Sequence, residues 1–338
     1  MDGFSSPEEN LKRASELGLK ALAITEHGEV TSWPYYSELQ DKYQNVKLLY
    51  GIEAYECADR EVKDPNNKYW HLILIARNEL GRQAINRLST LGHLHGFYSK
   101  PRITLTDIAA EDTDNLIVLS ACLASHLSRE KDYAKCVALV NEYKSVCKHY
   151  FLEIQAHNNE MQAEYNRKIM RLAADTNTKV VVTNDVHYAR KEDQKYQSLF
   201  LRVANDRETA AEIYDGCYFM SDDEIHSVLD PQIGANKAAE CIQNTDLVSD
   251  LCDAISMPWH DPELPKIEIP PQYSSSASYL RDLEKQGFAS RGCDKFPAEK
   301  QQLYKQRIKE ELDVIEKKDF CDYFLILVDY ISWCRQNG

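Results

Sequence analysis

Several common signatures are missing from this sequence of 338 residues. It has no long unbroken apolar stretch and no signal-peptide pattern, which argues against a membrane span and against export. Its ten cysteines are dispersed without a C-x-x-C pair, so we expect reduced thiols in a cytoplasmic protein rather than a disulfide scaffold. The motifs G-x-x-x-x-G-K-[ST], G-x-G-x-x-G and G-x-S-x-G, which mark phosphate-binding loops and nucleophile elbows, are also absent.

Positive charge is scarce, because 40 Lys and Arg residues stand against 54 Asp and Glu residues for a net charge of -14. An acidic surface repels phosphate backbones, so nucleic-acid binding would require a local basic patch or bound cations. One basic segment, residues 93–102, contains His93, His95, Lys100 and Arg102 together with Phe97 and Tyr98. That segment is either a phosphate contact or an ordinary exposed loop.

What the sequence does contain is an alternation of short apolar runs and helical segments up to about residue 190. The predicted strands are residues 20–25, 46–53, 71–76, 116–120, 151–155 and 179–183. The predicted helices include residues 7–17, which begin after an N-cap at Ser6, and residues 78–91, 132–148 and 159–176. This alternation predicts a parallel α/β sheet, and the number of units favours a barrel.

The remainder of the sequence has a different composition. Residues from about 190 to 256 are predicted to be mainly helical, and the proline-rich residues 258–271, followed by serines 274–276, mark a linker. Beyond the linker, residues 278–292 and 299–318 have the pattern of amphipathic helices. Residues 323–333 are so apolar that we expect a final helix in need of a partner surface.

Two strand ends carry the most informative residues. Thr-Glu-His-Gly at 25–28 and Thr-Asn-Asp-Val-His-Tyr at 183–188 each follow an apolar run, and strand ends meet at one edge of a β/α fold. Asp185 and His187 would share one side of an extended segment and could bind one or two metal ions. The alternative for this pair is a capping aspartate and a hydrogen-bonded core histidine.

Four further residues are candidates for a metal-assisted hydrolytic centre: His27, Glu53, His71 and Cys122. Each also has an ordinary explanation, as a turn histidine, a solvated strand end, an exposed strand start or a small buried thiol. His71 begins its predicted strand, which is the wrong end for a simple parallel barrel.

Taken together, these segments resemble the polymerase and histidinol phosphatase (PHP) domain of bacterial DNA polymerase III alpha subunits. The sequence at 92–103, GHLHGFYSKPRI, is similar to the family's passage GYLEGFYYKPRI, and Tyr-Phe-Met-Ser at 218–221 is similar to its YYLKS passage. Residues 310–315 and 322–326 resemble the family's approach to the polymerase palm, which free-standing PHP phosphatases lack. The resemblance covers essentially the whole chain.

The resemblance implies a distorted (β/α)7 barrel, here lacking its first strand, with a cluster of up to three metal ions. The implied metal ligands are Asp2, His27, Glu53, His71, Cys122, Asp185 and His187. Glu26 stands where the family more often has aspartate. The implied domains are a PHP domain at 1–257, a linker at 258–276 and the helical beginning of the palm at 277–338.

The resemblance also raises an expectation about the two ends of the chain. The family's first strand carries an H-x-H pair shortly before the position of Asp2, and this pair is not in the sequence. We expect Met1 to be an internal methionine or a truncation point. If the reading frame extended upstream of Met1 encodes an H-x-H pair, this expectation is supported. If it encodes no such pair, the expectation is contradicted. The palm carboxylates are also not in the sequence, so the chain alone should not polymerise DNA.

The function implied for the parent protein is DNA-directed DNA synthesis in chromosome or phage replication. The PHP domain would be either a metal-dependent 3′–5′ exonuclease or a structural and docking platform. The implied metal ions at the PHP site are Zn, Mn or Mg, and Mg is implied at the separate polymerase site. Implied partners are DNA, the sliding clamp, the clamp loader and the proofreading subunit, with no membrane. The alternative is a stand-alone PHP phosphoesterase. We expect low or absent nuclease activity, because the first ligand pair is missing.

Overall fold

A curled, seven-stranded sheet is the centre of the fold in the described part of the chain. The structure, a computed structural model, describes residues 3–65, 69–205, 214–259, 261 and 263–338. The chain divides into two units, residues 1–257 and 258–338, and the sheet belongs to the first. The strands are β1 (Ala21–Ile24), β2 (Lys47–Glu56), β3 (Trp70–Ala76), β4 (Arg102–Ile103), β5 (Leu116–Leu119), β6 (Tyr150–Gln155) and β7 (Val180–Thr183).

The strand order is β1-β2-β3-β5-β6-β7, with the short β4 paired to β2. All six predicted strands are present, and the α/β fold class is confirmed. The prediction of an all-parallel sheet is wrong at β3, which runs antiparallel to both β2 and β5. The described residues between β2 and β3 contain no helix, and a parallel pair would need a helical crossover there.

The two faces of the sheet have different surroundings, because side chains alternate along each strand. One face joins the larger core with the helices, and Ile52, Leu74 and Leu152 are typical members of it. The opposite face joins a smaller core that includes Leu49, Ile73 and Phe151. Val248 and Cys252, which come from a later part of the chain, also belong to this smaller core.

Helices pack on the first face and begin at polar N-caps. Ser6 caps α1 by accepting a hydrogen bond from the Glu9 amide, and Asn78 caps α3 in the same way from the Gly81 amide, as the side-chain oxygens of N-cap residues do. The helices of the first unit are α1 (Pro7–Glu16), α2 (Trp33–Leu39), α3 (Glu79–His95), α4 (Leu105–Ala109), α5 (His126–Arg129), α6 (Tyr133–Val146), α7 (Glu160–Thr176), α8 (Gln194–Asn205), α9 (Asp222–Ile233) and α10 (Ala235–Asp250).

The second unit is helical and consists of α11 (Ser276–Ser290), α12 (Ala298–Lys317) and α13 (Cys321–Asn337). Its small core contains Leu280, Leu312 and Leu325. Much of α13 is apolar and exposed, including Tyr330 and Trp333, in line with the apolar final helix predicted from the sequence. Among the described residues, no helix combines the length and the apolar character that a membrane crossing requires.

Glu56 is a buried carboxyl on the helix-covered face of β2, where the Tyr143 hydroxyl donates a hydrogen bond to it. Burial raises the pKa of Glu56 to about 7, and the hydrogen bond from Tyr143 only partly offsets this. The folded protein therefore binds a proton more tightly at this carboxyl than the unfolded chain does. The resulting stabilisation is complete below the ordinary glutamate pKa and is lost as the pH rises through about 7.

Replacing Glu56 with glutamine is expected to flatten the loss of stability between about pH 5 and pH 8. The side chain is then neutral at every pH, so up to roughly 3 kcal/mol of pH-dependent stability disappears from this window. Urea unfolding at several pH values measures the effect. Glu61→Gln, at an exposed glutamate, is the control and should leave the pH profile as it is. An unchanged profile for Glu56→Gln would contradict the prediction.

Candidate metal centre

Two histidines and one glutamate form a compact group at one edge of the sheet. His27 Nδ1 lies 2.5 Å from Glu53 Oε2, and His71 Nδ1 lies 2.9 Å from Glu53 Oε1. The three side chains offer ligand atoms that all lie within 4.8 Å of one another, and within the described ranges no other group of three does so. We call this group the His27–Glu53–His71 cluster.

The direction of β3 explains how His71 reaches this cluster. In the antiparallel pair, Tyr55 is opposite His71 and Glu53 is opposite Ile73, so the start of β3 lies beside the end of β2. The expectation that His71 stands at the wrong end of its strand was based on parallel pairing, and it is wrong for that reason. His27 arrives from the end of β1 through an isolated parallel bridge to Glu53.

Glu53 is buried, and each of its two carboxylate oxygens is engaged by one imidazole. Burial raises the pKa of this carboxyl, but hydrogen bonds and charge from His27 and His71 outweigh burial and lower it overall. Glu53 is therefore a carboxylate at neutral pH. One carboxylate and two imidazoles are a donor set that catalytic zinc sites use.

Cys122 lies next to the cluster, just beyond the end of β5. Its Sγ is 3.6 Å from His71 Nδ1 and 3.9 Å from Glu53 Oε1. Burial and the charge of Glu53 raise the pKa of the thiol well above its ordinary value. A thiol so placed could contribute a fourth donor, but only after losing its proton.

Asp185 and His187 are not among the three residues whose ligand atoms all lie within 4.8 Å of one another. Asp185 has a left-handed backbone, with φ at 49°, so the segment is not the extended strand that the sequence interpretation assumed. As a result, His187 Nδ1 bonds to the Asp185 carbonyl at 2.7 Å, and the nearer Asp185 carboxylate oxygen is 3.8 Å away. Asp2, the remaining predicted ligand, lies outside the described residues.

Sequence reasoning missed the actual neighbours of His187. Cys217 Sγ lies 3.7 Å from His157 Nε2, and both side chains are buried. Burial raises the pKa of Cys217, but hydrogen bonds from His157 and His187 outweigh burial and lower it. Burial likewise opposes the charged form of His157, yet contacts with Cys217 and the Asn184 carbonyl raise its pKa to about 8. His157 follows the end of β6, so the strand-end rule applied to that strand would have found it.

Glu153 is another buried carboxyl near the cluster, and the sequence interpretation did not identify it. It lies on β6, on the same sheet face as Phe151, and accepts hydrogen bonds from Thr183 Oγ1 at 2.6 Å and Gln155 Nε2 at 3.3 Å. Burial, with the negative charges of Asp185 and Glu53, raises its pKa to about 7. The negative charges of Glu53 and Asp185 therefore act on Glu153, and a cation bound here would offset them.

Comparison with solved structures shows a weak likeness. An amidohydrolase from Chromobacterium violaceum matches with a TM-score of 0.37 and 11% sequence identity, covering 55% of this chain and 84% of the amidohydrolase.

Comparisons of sequence are more specific. Residues 1–157 match the family model described as the PHP domain, and residues 278–338 match the model described as the bacterial DNA polymerase III alpha NTPase domain. The alpha subunit of DNA polymerase III from Aquifex aeolicus is 30% identical over 361 residues, and that from Treponema pallidum is 29% identical over 353 residues. Both alignments cover all of this chain, which spans 30% and 29% of those relatives' lengths. Along its whole length the chain is therefore similar to DNA polymerase III alpha subunits, and residues 1–157 match the PHP domain.

Proposed function

We propose that this chain is the N-terminal segment of a DNA polymerase III alpha subunit whose parent protein synthesises DNA. Similarity along the entire chain to alpha subunits supports this proposal. On this basis residues 1–257 are the PHP domain, 258–276 a linker and 277–338 the beginning of the palm region. DNA and the other replicase subunits named above would be partners of the parent protein.

Within the PHP domain, the His27–Glu53–His71 cluster would hold a divalent metal ion, and this arrangement is the observation that carries the proposal. The residues fit a metal by donor chemistry, because two imidazoles and a carboxylate present their ligand atoms to one small volume. A bound ion would polarise a phosphoryl oxygen and lower the pKa of a water molecule. Manganese and zinc are the ions we would test first, since imidazole ligands suit transition metals.

The protein side chains have separate tasks in this site. Glu53 orients both imidazoles, because one carboxylate oxygen contacts each ring. His27 is the more exposed of the two histidines, with 32% of its side chain accessible against 15% for His71. A phosphodiester would therefore approach from the His27 side.

We propose slow metal-dependent hydrolysis of single-stranded DNA from its 3′ end. The rate should be low, because the cluster of three donors would hold a single ion, and a single ion lacks the clamp that two neighbouring metals provide. Metal binding by equilibrium dialysis and shortening of a 5′-labelled strand test the proposal together. Binding of about one ion with metal-dependent shortening supports it. Binding without shortening would favour the structural and docking role, and no binding would contradict a metal centre.

A further inference from the structure

A lysine ammonium lies over an aromatic ring that packs against the cluster. Lys100 Nζ is 5.1 Å from the centroid of the Tyr55 ring. That ring stacks nearly parallel to His27, with centroids 6.0 Å apart, and meets His71 edge-on at 5.5 Å. One tyrosine thus connects the ammonium with both imidazoles of the cluster.

The position of Lys100 is set by its own loop. Arg102 is 1% exposed and donates hydrogen bonds to the carbonyls of Gly96 at 3.0 Å, Val62 at 2.8 Å and Arg60 at 2.6 Å. Arg102 therefore ties together two loops beside the site. Among the basic residues at 93–102, Arg102 therefore stabilises the loops and is not a phosphate contact.

The same loop is pressed against the residue that follows His27. Gly28 has φ at +69°, and a Cβ added there would lie 2.7 Å from the Tyr55 ring and 3.0 Å from Pro101. Only glycine accommodates that backbone together with so close an approach. Lys100, next to Pro101, is consequently held near the cluster by packing rather than by its own flexible side chain.

The partners of the Lys100 ammonium determine whether it is available to an anion. Lys20, Lys42 and Lys148 are each paired with a carboxylate, but in the part of the chain that the structure describes Lys100 has no such pair. An ammonium that contacts an aromatic face and no carboxylate is available to pair with an incoming anion. Lysine binds phosphate as a compact point charge.

A second aromatic ring, Tyr69, packs against the same Tyr55 ring that the Lys100 ammonium contacts. Tyr69 is partly buried, lies edge-on to Tyr55 with centroids 4.7 Å apart, and is nearly parallel to His71 at 6.3 Å. Nucleobases stack on aromatic side chains without regard to sequence. We propose that Lys100 and Tyr69 form a subsite for a nucleoside monophosphate, either free or as the terminal unit of a single strand, with Lys100 binding the phosphate and Tyr69 the base.

The proposal rests on the proposed phosphoester site, and equilibrium titration with thymidine 5′-monophosphate and with inorganic phosphate tests it. Lys100→Gln should weaken both ligands about 10- to 100-fold, as expected for a lost charged hydrogen bond. Tyr69→Leu should weaken the nucleotide at least about fivefold and leave inorganic phosphate unchanged. Lys179→Gln is the control. It makes the same change of charge just before β7, at the opposite end of the strands from the site, and should alter the affinity for neither the nucleotide nor inorganic phosphate.

The outcomes separate this inference from the metal proposal when the titrations are run with and without manganese. If manganese binds and Lys100→Gln binds the nucleotide as tightly as the unaltered protein, the subsite is wrong and the metal centre stands. If the unaltered protein binds no nucleotide, the subsite is also wrong. If manganese does not bind but Lys100→Gln still weakens the nucleotide, the metal centre fails and the subsite stands.

The source of the nucleotide is decided by adding a short oligothymidylate to the titrations. Tighter binding than the monophosphate, with the same loss in Lys100→Gln, identifies a strand end as the ligand. Equal affinity of the oligothymidylate and the monophosphate identifies a single nucleotide.

Discussion

Replacing Glu53 with glutamine is expected to remove divalent-metal binding from the His27–Glu53–His71 cluster. The amide loses the negative charge and one of the two anionic oxygens that the imidazoles contact. Changes to residues that merely orient a metal ligand cost 10- to 100-fold in affinity, so removal of a ligand should cost roughly 100-fold or more. Equilibrium dialysis with manganese or zinc measures the loss, and circular dichroism confirms that the variant is folded.

Glu56→Gln is the matched control, because Glu56 belongs to the same strand and is also buried, but faces the helices. It should bind metal as the unaltered protein does. Glu53→Asp, which retains the charge on a shorter side chain, should recover part of the affinity. Equal metal affinity in Glu53→Gln and Glu56→Gln would show that the cluster is not the metal site.

Replacing Arg102 with alanine is expected to lower the free energy of unfolding by roughly 3–5 kcal/mol. The buried guanidinium donates to three backbone carbonyls, and a buried polar group left without its partner costs about 1–3 kcal/mol. Deletion of the side chain also leaves a cavity. Because typical stabilities are about 5–15 kcal/mol, urea unfolding should show a large decrease in the midpoint.

Two controls separate the hydrogen bonds of Arg102 from its charge. Arg102→Lys retains the charge without the planar fork of donors, so it should recover only part of the stability. Arg87→Ala removes an arginine whose ion pair with Glu111 is largely exposed on the arginine side, and should cost no more than about 1 kcal/mol. A midpoint for Arg102→Ala similar to that of Arg87→Ala would contradict the structural role.

The strand-end rule located part of the site from sequence alone. It selected His27, which follows β1, and Glu53, which ends a predicted strand but lies inside the longer β2, because apolar runs mark strands and strand ends converge. It misjudged His71, because pattern alone does not reveal that β3 is antiparallel. It also grouped Asp185 with His187 on an extended segment, whereas the backbone at Asp185 is left-handed.

The sequence by itself determined the α/β fold, the positions of six strands and the likeness to DNA polymerase III alpha subunits, since apolar periodicity, caps and short motifs are local properties. Only the tertiary structure decided which candidates meet. Strand direction brings His71 to Glu53, a left-handed residue keeps His187 with Cys217, and the Arg102 loop places Lys100 over Tyr55. These juxtapositions depend on contacts between residues far apart in the chain. The separation of two such residues in the sequence does not give the distance between them in the folded protein.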